Sequence, residues 1–150
     1  MTAPTSTSTR YALLSDLTGW LSQVGYDDLL DADVDGTVDA DEQTTYGSAS
    51  LNYASSLIDG AICNQLNVMT ARESGNIWLK HRCIDIAVWR LFGIGGRDIP
   101  AVVQMAYEHA LELLEGIKNG DRIPGYDYPT PIDADQVNRR PRVVNIWSPR

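Results

Sequence analysis

Residues 76–96, NIWLKHRCIDIAVWRLFGIGG, decide the fold class of this chain. Apolar side chains return at helical spacing through most of the stretch, and glycines close its end. The apolar positions are Trp78, Ile84, Ala87, Val88 and Leu91. This pattern predicts a helix over residues 76–92 with a wide apolar face, which is typical of a helix packed inside a bundle.

Further helices are predicted on both sides of this stretch. Residues 41–65 keep a three-and-four spacing of apolar side chains, at Tyr46, Ala49, Tyr53, Leu57 and Ala61. After the central stretch, Asp98-Ile-Pro100 starts a helix that ends near residues 119–120, since proline fits a first helical turn. The apolar side of that helix holds Val102, Met105, Ala106, His109, Leu113 and Gly116.

The N-terminal part is predicted to hold one short helix. Ser15 and Asp16 can cap it, Gly25 ends it, and its apolar face holds Leu17, Trp20 and Leu21. Residues 26–30 make a further helical turn, and residues 67–75 are predicted as a connection.

The chain therefore divides into three parts of an all-α protein. Residues 1–10 are rich in Thr and Ser and are predicted as a flexible leader. Residues 11–122 form a small bundle of about four helices. Residues 123–150 hold most of the prolines and are predicted as a long extended C-terminal arm, because proline interrupts helices.

The acidity of the chain is concentrated in one place. Residues 27–42 carry eight acidic side chains and no Lys or Arg, whereas the rest of the chain holds twelve acidic and twelve basic residues. A net charge of −8 argues against a nucleic-acid binder with a broad basic face.

Within that patch, residues 31–42, DADVDGTVDADE, carry the spacing of an EF-hand loop. Oxygen ligands are expected at alternating positions, a glycine at the sharp bend (Gly36), and a bidentate glutamate at the end. The predicted metal ligands are Asp31, Asp33, Asp35, Thr37 (through its carbonyl), Asp39 and Glu42. We expect a structural Ca²⁺ that joins two helices. The alternative is a solvated acidic turn in which Asp39 or Asp41 caps the next helix.

No motif indicates an enzyme. The chain has no nucleophile elbow and no phosphate-binding loop, and Gly93–Gly96 follows a helix rather than a strand. His81, Cys83, Cys63 and His109 match no zinc spacing, and the two cysteines are predicted to be buried, reduced thiols. Asp85 and Arg90 are predicted to form a surface or interface pair. The sequence shows neither a secretory signal nor a stretch that could span a bilayer.

The end of the arm is the predicted partner-binding segment. It combines cations with β-branched residues and a tryptophan, which is a common interface anchor. The residues are Arg139, Arg140, Arg142, Val143, Val144, Ile146 and Trp147. A free tail, a fold-back onto the domain and a nucleic-acid contact remain alternatives.

The order of several short motifs resembles the Mu-type family of tailed-phage neck proteins, the head–tail connectors or adaptors. These motifs are YALLSDL at 11–17, DxDxDGxVD at 31–39, LIDGAI at 57–62, CIDIAVWRL at 83–91 and YExALxLLxxIxxG at 107–120. The resemblance covers residues 11–122, and the Arg-rich end of the arm departs from it.

This resemblance implies a non-enzymatic virion structural protein, made in the host cytoplasm and located in the neck. It implies a homo-oligomeric ring, usually a dodecamer, that sits under the portal protein and offers a docking surface to a tail-side neck or tail completion protein. Contact between the lumen and packaged DNA is left open. The alternative from another class is a small EF-hand-like calcium-binding regulator that exposes a groove on loading.

Overall fold

The computed structural model describes residues 10–31 and 33–128, and every regular element in this part of the chain is helical. Six α-helices follow one another, of which α2 is a single turn. They are α1 (Leu14–Val24), α2 (Ala40–Glu42), α3 (Ser48–Ile62), α4 (Val68–Glu73), α5 (Ile77–Ile94) and α6 (Ala101–Lys118). A 3₁₀ turn at Asp27–Leu29 precedes the acidic loop, and a π-helical segment at Gln43–Gly47 joins α2 to α3.

The core forms around α5, which packs against α3, α6 and α1. The core is mostly aliphatic, with several small residues and with Tyr11, Cys83 and Phe92 as its other buried apolar members. Side chains with almost no exposure include Leu17, Leu21, Leu51, Ile58, Ile62, Leu79, Ile86, Val88, Leu91 and Ile117. The prediction of a central helix with a wide apolar face is thus confirmed.

Helix ends follow local chemistry. The Asn67 and Asn76 side chains accept hydrogen bonds from the backbone N–H groups of Thr70 and Leu79, and so cap α4 and α5. Gly25 ends α1 in a left-handed conformation with φ of 78°, which glycine adopts without steric cost. The predicted cap at Ser15 was wrong, since α1 starts one residue earlier and Asp16 accepts from the Leu13 N–H.

Two boundary predictions need correction. Residues 67–75 were predicted as a connection, but they contain α4, which makes five helices of six residues or more instead of about four. A six-residue helix is too short to show a periodic apolar face, so its cap at Asn67 is its main sequence signal. The central helix also continues past Gly93 to Ile94.

The predicted apolar stripe of α3 was shifted by about one residue. Ala49 is exposed, and Tyr46, Tyr53 and Leu57 are only half-buried. The core side of α3 holds smaller residues, namely Ser50, Leu51, Ala54, Ser55, Ile58, Ala61 and Ile62. Two serines on the buried face hide it from a hydrophobicity pattern, so the aromatic edge was mistaken for the core.

In α6, the predicted apolar side also lies away from the core. Val102 and Met105 are 77% and 68% exposed, which places them among the most exposed large apolar side chains described. The side that packs into the bundle holds Val103, Ala110, Leu114 and Ile117. Helix α6 therefore carries two apolar stripes, and the bundle uses only one of them.

The start of the predicted arm packs on the bundle. Ile123 is 2% exposed, and its N–H donates to the Tyr128 hydroxyl at 2.8 Å. The Asn76 side chain donates to the Pro124 carbonyl, so residues 121–128 bind across the ends of α3 and α6 and the start of α5. Residues 129–150, with all of the predicted partner-binding residues, lie outside the described part.

A charged clamp fixes the start of the domain. The Tyr11 hydroxyl donates to an Asp59 carboxylate oxygen at 2.7 Å, and Arg72 donates to both Asp59 oxygens. The Arg72 guanidinium also lies 5.9 Å from the centroid of the Tyr11 ring. Burial, followed by the Asp59 hydrogen bond, raises the pKa of Tyr11, so its hydroxyl stays protonated and donates. The clamp joins α3, α4 and the segment before α1.

Candidate functional site

The acidic loop brings three of its predicted ligands together. Asp31, Asp33 and Asp35 each offer a carboxylate oxygen, and these oxygens lie within 4.8 Å of one another. Asp31 is buried, whereas Asp33 and Asp35 are exposed. Three convergent hard oxygens fit the preference of a divalent cation such as Ca²⁺.

Backbone N–H groups turn toward these carboxylates. The two Asp31 oxygens accept from Asp35 N at 3.2 Å and Gly36 N at 3.0 Å. One Asp35 oxygen accepts from the Thr37 N–H at 2.8 Å and the Thr37 hydroxyl at 2.6 Å. The hydrogen bonds from the Thr37 hydroxyl and N–H lower the pKa of Asp35. The loop thus stabilises the charges of the Asp31 and Asp35 carboxylates with its own hydrogen-bond donors.

The pKa of Asp33 moves the other way. The hydrogen bond from the Asp35 N–H is the largest single influence and lowers the pKa of Asp33. Desolvation and repulsion from the Asp35 and Glu42 carboxylates together outweigh it, so the net shift is upward.

The structure places Glu42 and Asp39 differently from the three clustered aspartates. The Glu42 carboxylate accepts from Asp33 N at 3.2 Å and from Asp39 N at 3.1 Å, so it ties the loop to the first turn of α2. Neither Glu42 nor Asp39 joins the group of oxygens within 4.8 Å of one another. The residues therefore fit a cation through the three aspartates, with Glu42 beside them.

The bend of the loop requires left-handed backbone at two positions. Gly36 has φ of 89°, which glycine adopts readily, as the sequence pattern predicts. Val34 has φ of 61° and is 76% exposed. Left-handed backbone is sterically unfavourable for a β-branched residue, so Val34 is strained. Because its side chain is exposed, no burial offsets this strain.

Other predicted contacts turn out differently. Asp85 pairs with Arg82 at 3.1 Å, and Arg90 lies over the Tyr53 ring at 4.9 Å, so the predicted Asp85–Arg90 pair was wrong. Burial raises the pKa of Asp85, opposed by the nearby Arg82 guanidinium and by two histidines. Cys83 is buried as predicted, but Cys63 is exposed. Within the described residues, the histidines and cysteines form no metal-ligand cluster.

An exposed apolar surface was missed by the sequence analysis. We define the outer face of α6 by Val102, Met105 and the exposed His109. These residues recur at three and four positions, which is the signal that the sequence did contain and that was assigned to the core. Because large apolar groups are seldom left in water together, the outer face is a candidate contact surface.

On the opposite flank of α6, aromatic rings join three helices. The Trp89 and Tyr107 rings stack with centroids 3.9 Å apart, and the Trp89 indole N–H donates to the Gln104 side chain. Since Tyr53 from α3 lies beside Tyr107, this seam stiffens the packing of α3, α5 and α6.

None of the helices in the described part could cross a membrane.

Comparison with known proteins places the chain in a family. The sequence profile of the bacteriophage Mu Gp36 family matches residues 11–139, which is most of the chain. This chain belongs to the Gp36 family. Neither the curated proteins nor the solved structures contain a match to it. The chain is therefore a member of a phage protein family, and the matched region includes both the acidic loop and the whole helical bundle.

Proposed function

We propose that this chain is a virion structural protein, namely a head–tail connector (adaptor or head completion protein) of the phage neck. It assembles as a homo-oligomeric ring under the portal protein and links the capsid to a tail-side neck or tail completion protein. Its work is done by surfaces, without catalysis. The membership in the Gp36 family carries this proposal, together with the motif order over residues 11–122.

The outer face of α6 supports the proposal as a subunit contact. Fully burying one large aliphatic side chain stabilises by about 1.5–3 kcal/mol, and about three quarters of each side chain is exposed, so Val102 and Met105 together offer about 2–4 kcal/mol to a neighbour. A second exposed pair, Leu13 and Ile77, lies near the start of α1 and of α5, at 58% and 67% exposure. A protein that assembles through its surface needs apolar residues outside its own core.

The arm supplies the second proposed contact. Its arginines can bind carboxylates in a bidentate manner, and Trp147 suits a pocket on a partner. In the proposed connector, residues 139–147 bind the portal protein or an adjoining subunit, while the bundle forms the wall of the ring.

Assembly can be measured with the full chain and its portal protein. Light scattering after size exclusion gives the mass of the complex, and negative-stain images show whether a ring forms on the portal. We expect Met105→Asp to raise the protein concentration needed for ring formation at least tenfold, since a loss of about 1.4 kcal/mol corresponds to a factor of ten.

Met69→Asp is the matched control. Met69 lies on α4 and is 46% exposed, so the same charge is introduced outside the outer face of α6. Equal assembly of wild type, Met105→Asp and Met69→Asp would exclude the outer face as a contact. A wild-type chain that stays apart from the portal at every concentration would refute the connector function itself.

We also propose that the acidic loop binds Ca²⁺ as a structural ion, with Asp31, Asp33 and Asp35 as ligands. Glu42, Asp39 and the Thr37 carbonyl would complete the site on binding, which requires Glu42 to turn from the Asp33 and Asp39 N–H groups toward the ion. The convergence of three aspartate oxygens supports this proposal. When bound, the ion would supply charge neutralisation. Calorimetric titration of the full chain with Ca²⁺ tests it, and absence of binding at millimolar Ca²⁺ would refute it. Nothing in the described part favours a calcium-binding regulator, so that alternative is not proposed.

A further inference from the structure

A groove between α3 and α6 has no occupant among the described residues. It has a volume of about 340 Å³ and is lined by Ser56, Leu57, Gly60, Ala61, Leu111, Leu114, Glu115 and Lys118. Ala61 and Leu114 are almost fully buried, and Leu57 and Leu111 are half-buried. The groove therefore has an apolar floor with a charged rim, which suits an extended segment with both apolar and charged residues.

Gly60 keeps this groove open. It lies inside α3, where glycine costs about 0.5–1 kcal/mol relative to alanine. A Cβ built at Gly60 would meet no atom within 4 Å, so close packing inside the described part does not explain the glycine. The absence of a side chain at Gly60 leaves room for an occupant that lies across the backbone of α3.

The chain leaves the described part next to the groove. The Tyr128 hydroxyl lies 3.3 Å from the Gln65 side chain, and Gln65 follows Ala61 by about one turn. The Gln65 amide also donates to the carbonyls of Ile117 and Asp121, at the end of α6. The residues after Tyr128 thus start at the end of the groove that is formed by the C-terminal ends of both helices.

The length of the following segment is sufficient to reach any point of the groove. Ten residues separate Tyr128 from Arg139, and they span up to about 33–36 Å when extended. Helix α6, with 18 residues, is about 27 Å long. A tether this short also gives an effective concentration in about the millimolar range, which favours the groove of the same chain over that of another.

The charges are complementary. The exposed side of α6 carries Glu108, Glu112 and Glu115 at successive turns, and Lys118 is the one basic residue of that helix. Residues 139–150 hold four arginines and no acidic residue, and four apolar side chains follow the first three arginines. Glu115 and Lys118 line the groove itself, and Glu108 and Glu112 lie on the exposed side of α6. The segment therefore matches the apolar floor of the groove and the acidic side of α6.

We propose that residues 139–147 of the same chain dock in the groove between α3 and α6. The apolar side chains of residues 143–147 cover Leu57, Ala61, Leu111 and Leu114, and the arginines bind the glutamates of α6. This proposal concerns the isolated subunit and does not depend on the connector function.

The experiment places a spin label on Cys63 of the full-length, ¹⁵N-labelled chain. Cys63 is exposed at the end of α3, and its thiol donates to the Gly60 carbonyl, so the label sits at the groove. Cys83 is buried and its pKa is raised to about 11 by burial, so it is not labelled in the folded protein. The readout is the indole N–H signal of Trp147, assigned by its absence in Trp147→Phe. We expect it to lose most of its intensity and to recover when the label is reduced.

Gly60→Leu fills the groove and is expected to restore the Trp147 signal. Gly19→Leu is the matched control, because Gly19 is also inside a helix with open space at its Cβ, but on α1. It is expected to leave the signal weakened. Glu115→Lys changes the rim without filling the groove, so it tests docking even where Gly60→Leu fails to fold, and it is expected to restore part of the signal.

Three results would overturn the proposal. The first is a Trp147 signal of full intensity in the labelled wild type. The second is a signal that stays weak in both Gly60→Leu and Glu115→Lys. The third is weakening of similar size in a mixture of spin-labelled chains without ¹⁵N and ¹⁵N-labelled chains without spin label, which would assign the groove to a second copy.

Discussion

Replacement of Asp59 by alanine is expected to be the most destabilising removal of a single charge in the described part of the bundle. The Asp59 carboxylate accepts from Tyr11 and from two nitrogens of Arg72, and the Arg72 and Asp59 side chains are 18% and 22% exposed. Without Asp59, the guanidinium stays half-buried with no carboxylate beside it, and the Tyr11 hydroxyl loses its acceptor.

The magnitude follows from the degree of burial. Breaking a fully buried ion pair costs about 3–5 kcal/mol, and an exposed pair contributes about 0.2–1 kcal/mol. With about a fifth of each side chain exposed, we expect Asp59→Ala to lower the free energy of unfolding by about 2–3 kcal/mol. At about 2–4 °C per kcal/mol for a chain of this size, Tm falls by about 4–12 °C.

The assay is thermal and urea unfolding followed by circular dichroism. Lys80→Ala is the control, since Lys80 pairs with Asp16 at 3.5 Å and both side chains are more exposed. It should cost less than about 1 kcal/mol. In the double variant Asp59→Ala/Arg72→Ala, we expect a loss smaller than the sum of the two single losses. Additive losses, or an Asp59→Ala loss no larger than that of Lys80→Ala, would refute the clamp.

Three further predictions rest on the described contacts. Ca²⁺ should raise Tm of the wild type and excess chelator should reverse this, whereas Asp31→Ala should have the same Tm in Ca²⁺ and in chelator; a wild-type Tm that is the same in Ca²⁺ and in chelator would count against the ion. Gly47→Ala should change the free energy of unfolding by less than about 1 kcal/mol, because the Leu14 methyl carbon 2.5 Å from the new Cβ ends a half-buried side chain that can turn away, and alanine favours helical backbone; a loss above about 2 kcal/mol in urea unfolding would contradict this. A thiol reagent at pH 8 should modify Cys63 rapidly and Cys83 only on unfolding; two rapid equivalents per chain would be inconsistent with a buried Cys83.

Helices that begin or end at a glycine or a proline could be predicted from the sequence. Gly25 ends α1 and Gly120 follows α6, where φ is 116°. The predicted bounds of these helices agree with the structure to within about three residues, since such residues fix backbone geometry locally. Helix α4 could not be predicted in this way because its six residues show no periodicity.

Which side of a helix is buried could not be predicted where a helix has two apolar stripes. In α6, the stripe through Val102 and Met105 and the stripe through Val103 and Leu114 compete on equal terms. The choice depends on the neighbours α3 and α5, which a pattern within one helix does not contain. The same non-local cause explains α3, where buried Ser50 lies on the true core side.

The acidic loop was predicted correctly only in its central part, since the six predicted EF-hand ligands do not come together as one set. Its positions are adjacent in sequence, so the convergence of Asp31, Asp33 and Asp35 and the left-handed turn at Gly36 follow from local geometry. The strained Val34 and the positions of the Glu42 hydrogen bonds did not follow, because they depend on how α2 starts. The groove between α3 and α6 joins residues about 55 positions apart, so no local pattern contains it.

The central claim is that this helical subunit joins other subunits at the portal. Negative-stain imaging of purified portal protein, with and without an excess of this chain, tests it most directly. We predict an added ring of density on one face of the portal, of the same symmetry, that is reduced by Met105→Asp. Portal particles that look identical in both samples, with the chain recovered at its monomer mass, would contradict the account.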